Sequence, residues 1–317
     1  MTSVAAWNIG ALAAAMALAT AVVWVPALRS RVEPGAPAPS SKAPASPPLV
    51  DHSGTPLPRA DYTRIASLST VADALLLELC EPDRVVAFTG YSARSSTKSF
   101  RFHGKPTLDG VGELERLLAL HPDLVLVSRV GDPRPVQRMR DAGLAVYDLG
   151  ETRGLGTLLP NVREIAAIVG HPERGERLAR SLAFEMDAVA ADVPLAARRR
   201  GIYLSVYGGN LFGGSVGTSY HDVLVSAGLV DAAVRYGESP QYATEQVLAL
   251  DPDVIVTNDG MRGRICEHAG LEGLRACTPP GAIVEMDDGL LGDPGPAMVD
   301  AAEVIRLAVY GPQPHAP

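Results

Sequence analysis

The sequence predicts an α/β chain of two similar lobes, each built on a parallel sheet, joined by a long helix and facing each other across a ligand cleft. Three observations predict it. Short β-branched, apolar runs such as Val85–Thr89 and Val254–Thr257 alternate with stretches of helical periodicity, the pattern of a parallel sheet covered on both faces. One motif occurs twice without a gap: ERLLALHPDLVLVS from Glu115 and EQVLALDPDVIVTN from Glu245. Between the copies lies a helical stretch, 174–191, with no Gly or Pro after Gly175.

Taken in order, residues 1–30 form an export signal or membrane anchor. Val4 to Leu28 is almost wholly apolar and long enough to span a bilayer. Arg29 and Arg31 follow the apolar run instead of preceding it, the reverse of the usual charge order for export. No Cys lies near its end, so no lipid attachment is expected, and both cleavage near Ala36-Pro37-Ala38 and an uncleaved tether stay open. Residues 31–61 are rich in Pro, Ala and Ser and read as an extended linker.

The first lobe is expected over 62–170. Strands are predicted at Arg64–Ser69, Arg84–Thr89, Asp123–Ser128 and Leu144–Leu149, with helices at Val71–Leu79, Leu114–Leu120, Pro135–Ala142 and Thr157–Val169. A connecting helix is expected over 171–193. The second lobe, 194–311, repeats the alternation: strands at Gly201–Tyr207, Asp253–Thr257 and Ala282–Met286, and helices at Tyr220–Ala227, Thr244–Leu250 and Pro296–Val309. Residues 312–317 are a tail. The repeated unit places one equivalent helix–turn–strand in each lobe, and clefts between domains are preferred ligand sites.

Composition narrows the function. Apolar residues make up 47% and charged residues 20% of the 317, as in a folded globular chain. The formal net charge of −8 lacks the basic face that nucleic-acid binding needs. Both tryptophans, Trp7 and Trp24, precede the folded body, so aromatic contacts to a ligand fall to Tyr and Phe. Of three cysteines, Cys266 and Cys277 are near enough in sequence to pair in an exported chain, and Cys80 ends an apolar helix as a core thiol. His103, His121, His171, His221 and His268 show no metal-ligand spacing.

The order RIASLS, DRVVAFTGY, ERLLALHPDLVLV, a long helix, GIYLSVY with a Gly-rich stretch, then EQVLALDPDVIV resembles the helical-spine solute-binding proteins of ABC importers, which serve siderophores, haem and vitamin B12. The resemblance covers residues 62–311. It implies two Rossmann-like lobes, a stiff hinge with small closure, a monomer without enzymatic activity or resident cofactor, an extracytoplasmic location, and a permease partner in the inner membrane. It also implies that Glu115 and Glu245 dock on permease arginines. The structural alternative is that the helix dipole places both carboxylates there.

In such folds ligands meet the loops at the carboxyl ends of strands. That nominates Tyr91, Arg94, Arg129, Tyr207, Asn210, Phe212, Tyr220, Tyr242 and Asn258, with arginine facing an anionic chelate and tyrosine covering its apolar parts. The chain departs from its vitamin B12- and haem-binding relatives: Asp109 and Ser239 stand where the former carry Trp, and Leu108 where the latter carry a ligating Tyr. The last loop, Asp287–Pro296, lacks the base many siderophore binders carry. A ferric siderophore is expected by elimination and from the basic stretch Arg94–Arg101. Competing readings are a membrane-tethered sensor uncoupled from transport, a cobalamin or haem binder, and a serine hydrolase using Ser215 in Gly213–Gly217, which matches G-x-S-x-G.

Overall fold

The computed structural model describes residues 49–312 apart from 97, 129–131 and 292–293. The apolar segment 4–28, most of the Pro-rich stretch and Arg129 lie outside the described residues, and among those described no helix is long and apolar enough to cross a membrane.

The first half is a five-stranded parallel sheet. Its strands are β3 (Ile65–Ser67), β4 (Val85–Thr89), β5 (Thr107–Leu108), β6 (Leu124–Val127) and β7 (Val146–Asp148), in the order β5-β4-β3-β6-β7. Strand order reverses between β3 and β6. The crossovers are α1 (Thr70–Leu79), α2 (Gly90–Ser95), α3 (Leu114–Ala119) and α4 (Arg134–Asp141). The second half runs β11-β9-β8-β12-β13, with β10 (Val230–Asp231) also on β8. Here β8 (Arg200–Tyr207), β12 (Val254–Asn258) and β13 (Ala282–Met286) are parallel, while β9 (Asn210–Gly214) and β11 (Gln241–Tyr242) are antiparallel additions. The Gly-rich stretch after Tyr207, expected as a loop, is therefore partly strand. Gly208 and Gly209, at φ 56° and 80°, turn the chain back into β9.

The two copies of the repeat build the same device. In each, a short helix stops at a residue with positive φ, His121 (47°) or Asp251 (41°), the only such non-glycine residues among those described. The following Pro has no N–H with which to continue the helix. The Asp after it turns its carboxylate onto the start of the neighbouring strand. Asp123 accepts from the backbone N–H of Thr63 and Arg64 (2.8 and 2.9 Å), and Asp253 from that of Arg200 (3.1 Å). Arg64 donates to the helix-end carbonyls of Leu120 and His121, and Arg200 to that of Leu250. These bonds satisfy carbonyls that a helix end leaves open.

Between the sheets stand α5 (Leu155–Ile168) and α6 (Pro172–Ala188). They pack closely at Gly175, where a Cβ would lie 2.2 Å from that of Ala166. The connecting helix ends at Ala188, short of the expected 193. Pro194 biases the residue before it towards extended backbone, and Asp192 leaves the helix to pair with buried Arg306 of α11 (Met298–Tyr310). One apolar core runs through both halves: Leu75 and Leu76 of α1, Val162 and Ile165 of α5, Leu182 and Met186 of α6, then Val223, Leu224 and Ile305. The outer face of each sheet has its own smaller core.

The linker expectation over 31–61 needs correction at its end. Leu49–Val50 (β1) and Pro56–Leu57 (β2) pair antiparallel and dock on the first sheet. Asp51 is 4% exposed and accepts from the N–H of Ser53 and Thr55. It also pairs with Arg140, while His52 N–H donates to Asp148 (3.0 Å). Leu57 is 2% exposed. The segment escapes notice because its Pro content hides one short Asx-type turn with Gly54 at φ 82°.

Candidate ligand-binding cleft

The reversal of strand order between β3 and β6 opens a crevice at their carboxyl ends, where ligands bind in open α/β sheets. A cavity of about 490 Å³ fills it. Ser69 and Thr70 come from the end of β3, Ser128 from β6, Thr89 to Tyr91 and Arg94 from β4 and α2, and Asp109 from β5. The wall is therefore rich in hydroxyl groups, with one guanidinium and one carboxylate.

Local chemistry explains how the wall is held. Ser69 caps α1, accepting from the N–H of Ala72 (3.3 Å), and Thr89 caps α2, accepting from that of Ser92 (3.1 Å). Beneath them Asp73 is fully buried. Its Oδ2 accepts from the Thr89 hydroxyl (2.6 Å) and N–H (3.0 Å), and its Oδ1 has no partner among the described residues. Burial pushes its carboxyl up to about 6, against the lowering effect of the bonds from Ser67, Thr89 and Ser92. Asp109 closes on Gly90: a Cβ there would sit 2.3 Å from Asp109 Oδ1, so a larger residue would push that carboxylate aside. Tyr91 also lines a second cavity, about 160 Å³, whose other side is Leu290, Ala297 and Asp300 of the second half. The crevice thus continues between the halves.

In the second half, Tyr207 ends β8 and is 50% exposed. Its ring lies 6.1 Å from that of Phe212, and Asn210 is its cross-strand partner, held by Gln241 Nε2 (3.1 Å). These residues share one face at the hairpin tip. Deeper on that face, Tyr220 stacks on Tyr203 (3.7 Å between centroids, 9° between planes), and Tyr203 donates to Asn258 Oδ1 (2.7 Å).

The nominated residues therefore divide. Tyr91 and Arg94 line the first cavity. Tyr207, Asn210 and Phe212 form an exposed aromatic and amide ledge. Tyr220 and Asn258 belong to the tyrosine stack, with Asn258 5% exposed. Tyr242 is also 5% exposed, but it faces the opposite side of the sheet, packed under Gly213, where a Cβ would lie 2.3 Å from its ring. Period-2 alternation explains the separation: Tyr242 pairs with Leu211, one residue out of phase with Phe212. Ser69, Thr70 and Asp73 were missed, although Ser-Thr before an apolar helix marks a cap. Glu115 and Glu245 are exposed in the first turns of α3 and α8 (Thr244–Leu250).

Ser215 lacks the geometry of a nucleophile elbow. It is 0% exposed, follows β9, which lies between β8 and β11, and donates to Asp231 Oδ2 (2.6 Å). His221 Nδ1 meets the same carboxylate oxygen (2.8 Å), so the acid separates the hydroxyl from the imidazole. Cys266 and Cys277 form a disulfide with Cα atoms 5.8 Å apart, and Cys80 is a buried thiol pushed up to about 11 by burial.

A family model of periplasmic binding proteins matches residues 65–312, spanning both sheets and the helices between them. The chain belongs to the periplasmic binding protein family. Among curated relatives, this binding protein is 31% identical to the vitamin B12-binding protein of Salmonella typhimurium over 148 residues, 45% of this chain and 54% of that protein. It is 20% identical over 204 residues to an uncharacterized ABC transporter substrate-binding lipoprotein of Bacillus subtilis, covering 62% and 65% of the two chains. The chain spans about half the length of the vitamin B12-binding relative and under two thirds of the lipoprotein. Among solved structures, the apo periplasmic heme-binding protein RhuT from Roseiflexus sp. superimposes with a TM-score of 0.66 at 24% identity, over 78% of this chain and 97% of that one. That likeness establishes the shared two-lobed fold.

Proposed function

We propose that this binding protein is the solute-capturing component of an ABC importer. It holds an iron–siderophore-type chelate between its lobes outside the cytoplasm and hands it to a permease through Glu115 and Glu245. The observation that carries the ligand class is the first-half wall: a cavity of about 490 Å³ lined by Ser69, Thr70, Thr89, Ser128 and Arg94. Hydroxyls and a guanidinium suit the oxygen-rich, anionic shell of a ferric chelate. A macrocycle asks for a flat apolar bed and often an axial ligand, and Leu108, at the position of a haem-ligating residue, is 1% exposed. The ledge of Tyr207 and Phe212 supplies apolar cover from the other half. Cobalamin is the second reading, favoured by the 31% identity to a vitamin B12-binding protein.

Native mass spectrometry of the purified protein against ferric hydroxamates, ferric catecholates, haem and cyanocobalamin decides between them. A one-to-one ferric-siderophore complex supports the reading. A cobalamin complex in its place establishes the second. Binding of none of the four overturns both.

A further inference from the structure

The two halves meet in a polar seam apart from α6. The segment between β7 and α5 belongs to the first half, and the first turn of α7 (Ser219–Ser226) to the second. Neither α5 nor α7 is capped by the side chain of the residue before it. Gly154 has none, and Thr218 turns its hydroxyl back to the carbonyl of Ser215 (2.7 Å). Each helix instead takes an acceptor from the other half. The N–H of Ser219, the first of α7, donates to the carbonyl of Arg153. The N–H of Leu155, the first of α5, donates to Asp222 Oδ2 (2.6 Å). Helix starts leave such donors open, and a donor shut off from water without a partner is costly. Gly154, between the two bonds, is buried, and a Cβ there would lie 2.4 Å from Asp222 Oδ2 and 3.0 Å from Ser219 N. Its φ of −176° is open to any residue, so the other half alone excludes a side chain. Burial raises the Asp222 carboxyl above its ordinary value despite the bond from Leu155, which marks the seam as dry.

The same turn reaches the cleft. Ser219 and Asp222, three residues apart and so on one helix face, hold the first half. The two residues between them hold the second: Tyr220 stacks on Tyr203 and fills the space over Gly214, and His221 meets Asp231. We infer that Gly154 and Asp222 are positioning residues of the cleft, whose reciprocal caps fix where Tyr220 stands against the first-half wall of Ser69, Thr89 and Arg94. The apolar core shared by the halves is non-directional and tolerates sliding, whereas two crossed hydrogen bonds do not. With α6 as the other joint, the seam leaves the halves one axis about which to close. The effect on affinity rests on the proposed capture of a chelate between the lobes; the seam itself does not.

The test is a distance measurement on the full chain without ligand, joined to a titration. Ala119→Cys and Ala249→Cys, exposed and equivalent in the repeated motif, carry one spin label in each half, and their separation is read by pulsed dipolar spectroscopy. Gly154→Ala and Asp222→Ala should each lengthen or broaden that distance. Each should also weaken calorimetric binding of a ferric trihydroxamate roughly tenfold, as when the binding arrangement falls to about one molecule in ten. Asp222→Asn, which keeps an acceptor for the Leu155 N–H, should retain the parent distance and affinity. An unchanged distance in both alanine variants overturns the inference even where the thermal transition falls, because a merely structural role costs stability without moving the halves. A changed distance with unchanged affinity, or Asp222→Asn behaving as Asp222→Ala, overturns it as well. Changed distances in a protein whose parent binds no ferric trihydroxamate support the seam and count against the chelate.

Discussion

Asp73→Asn tests how the cleft wall is held. Asp73 is fully buried, and its carboxyl is raised from 3.8 to about 6, chiefly by desolvation. A tenfold displacement of an acid equilibrium is worth about 1.4 kcal/mol, so the difference amounts to about 3 kcal/mol. The sign follows from the folded value lying above the unfolded one. The contribution is complete below the unfolded value near 3.8 and is lost as pH rises through about 6. An asparagine keeps an oxygen for the Thr89 N–H and hydroxyl but cannot ionise. The stability of the variant relative to the parent should therefore rise by roughly 2 kcal/mol between pH 4 and pH 8, the remainder of the effect lying below pH 4. Urea unfolding of both proteins at matched pH values measures it, because titrations elsewhere in the chain cancel in the difference. A difference that stays flat from pH 4 to pH 8, or falls, refutes the assignment of a desolvated Asp73 carboxyl with a raised pKa beneath the cleft.

Further outcomes follow from the same geometry. Arg94→Ala should weaken binding of an anionic ferric chelate roughly ten- to hundredfold by isothermal titration, whereas Tyr242→Phe, on the opposite face of its sheet, should leave affinity unchanged. Cys266→Ala with Cys277→Ala opens a loop whose ends are 11 residues apart, costing about 3 kcal/mol by loop entropy. It should lower the calorimetric transition while chelate affinity is retained. Deleting the chain through Pro58 strips Arg140 and Asp148 of Asp51 and His52 and should destabilise the fold by about 2 kcal/mol in urea.

The two lobes were legible because the repeated Pro-Asp turn performs the same work twice, and because buried parallel strands read as continuous apolar runs. The hairpin at residues 49–57 was not legible. Its stability comes from Asp51, Arg140 and Asp148, which are distant in sequence, and its composition resembles a linker. Strand β9 was hidden by its glycines, which are there because Tyr220 and Tyr242 occupy the space their side chains would need. The loop-end rule pointed to Tyr91 and Arg94, which line the first cavity, and to Tyr207 at the hairpin tip, but could not tell the face of Tyr242, which depends on register with β9. Asp73 went unnoticed because an acidic residue in the first turn of a helix is ordinarily a dipole-favoured surface group. Only tertiary packing buries this one.

Hydrogen exchange with and without a saturating ferric siderophore tests the central claim most directly. Binding between the lobes predicts added protection in two stretches far apart in sequence, residues 68–70 with 89–94 in one half and residues 205–212 in the other. Protection confined to one half, or appearing only around the hairpin at 49–57, would contradict it.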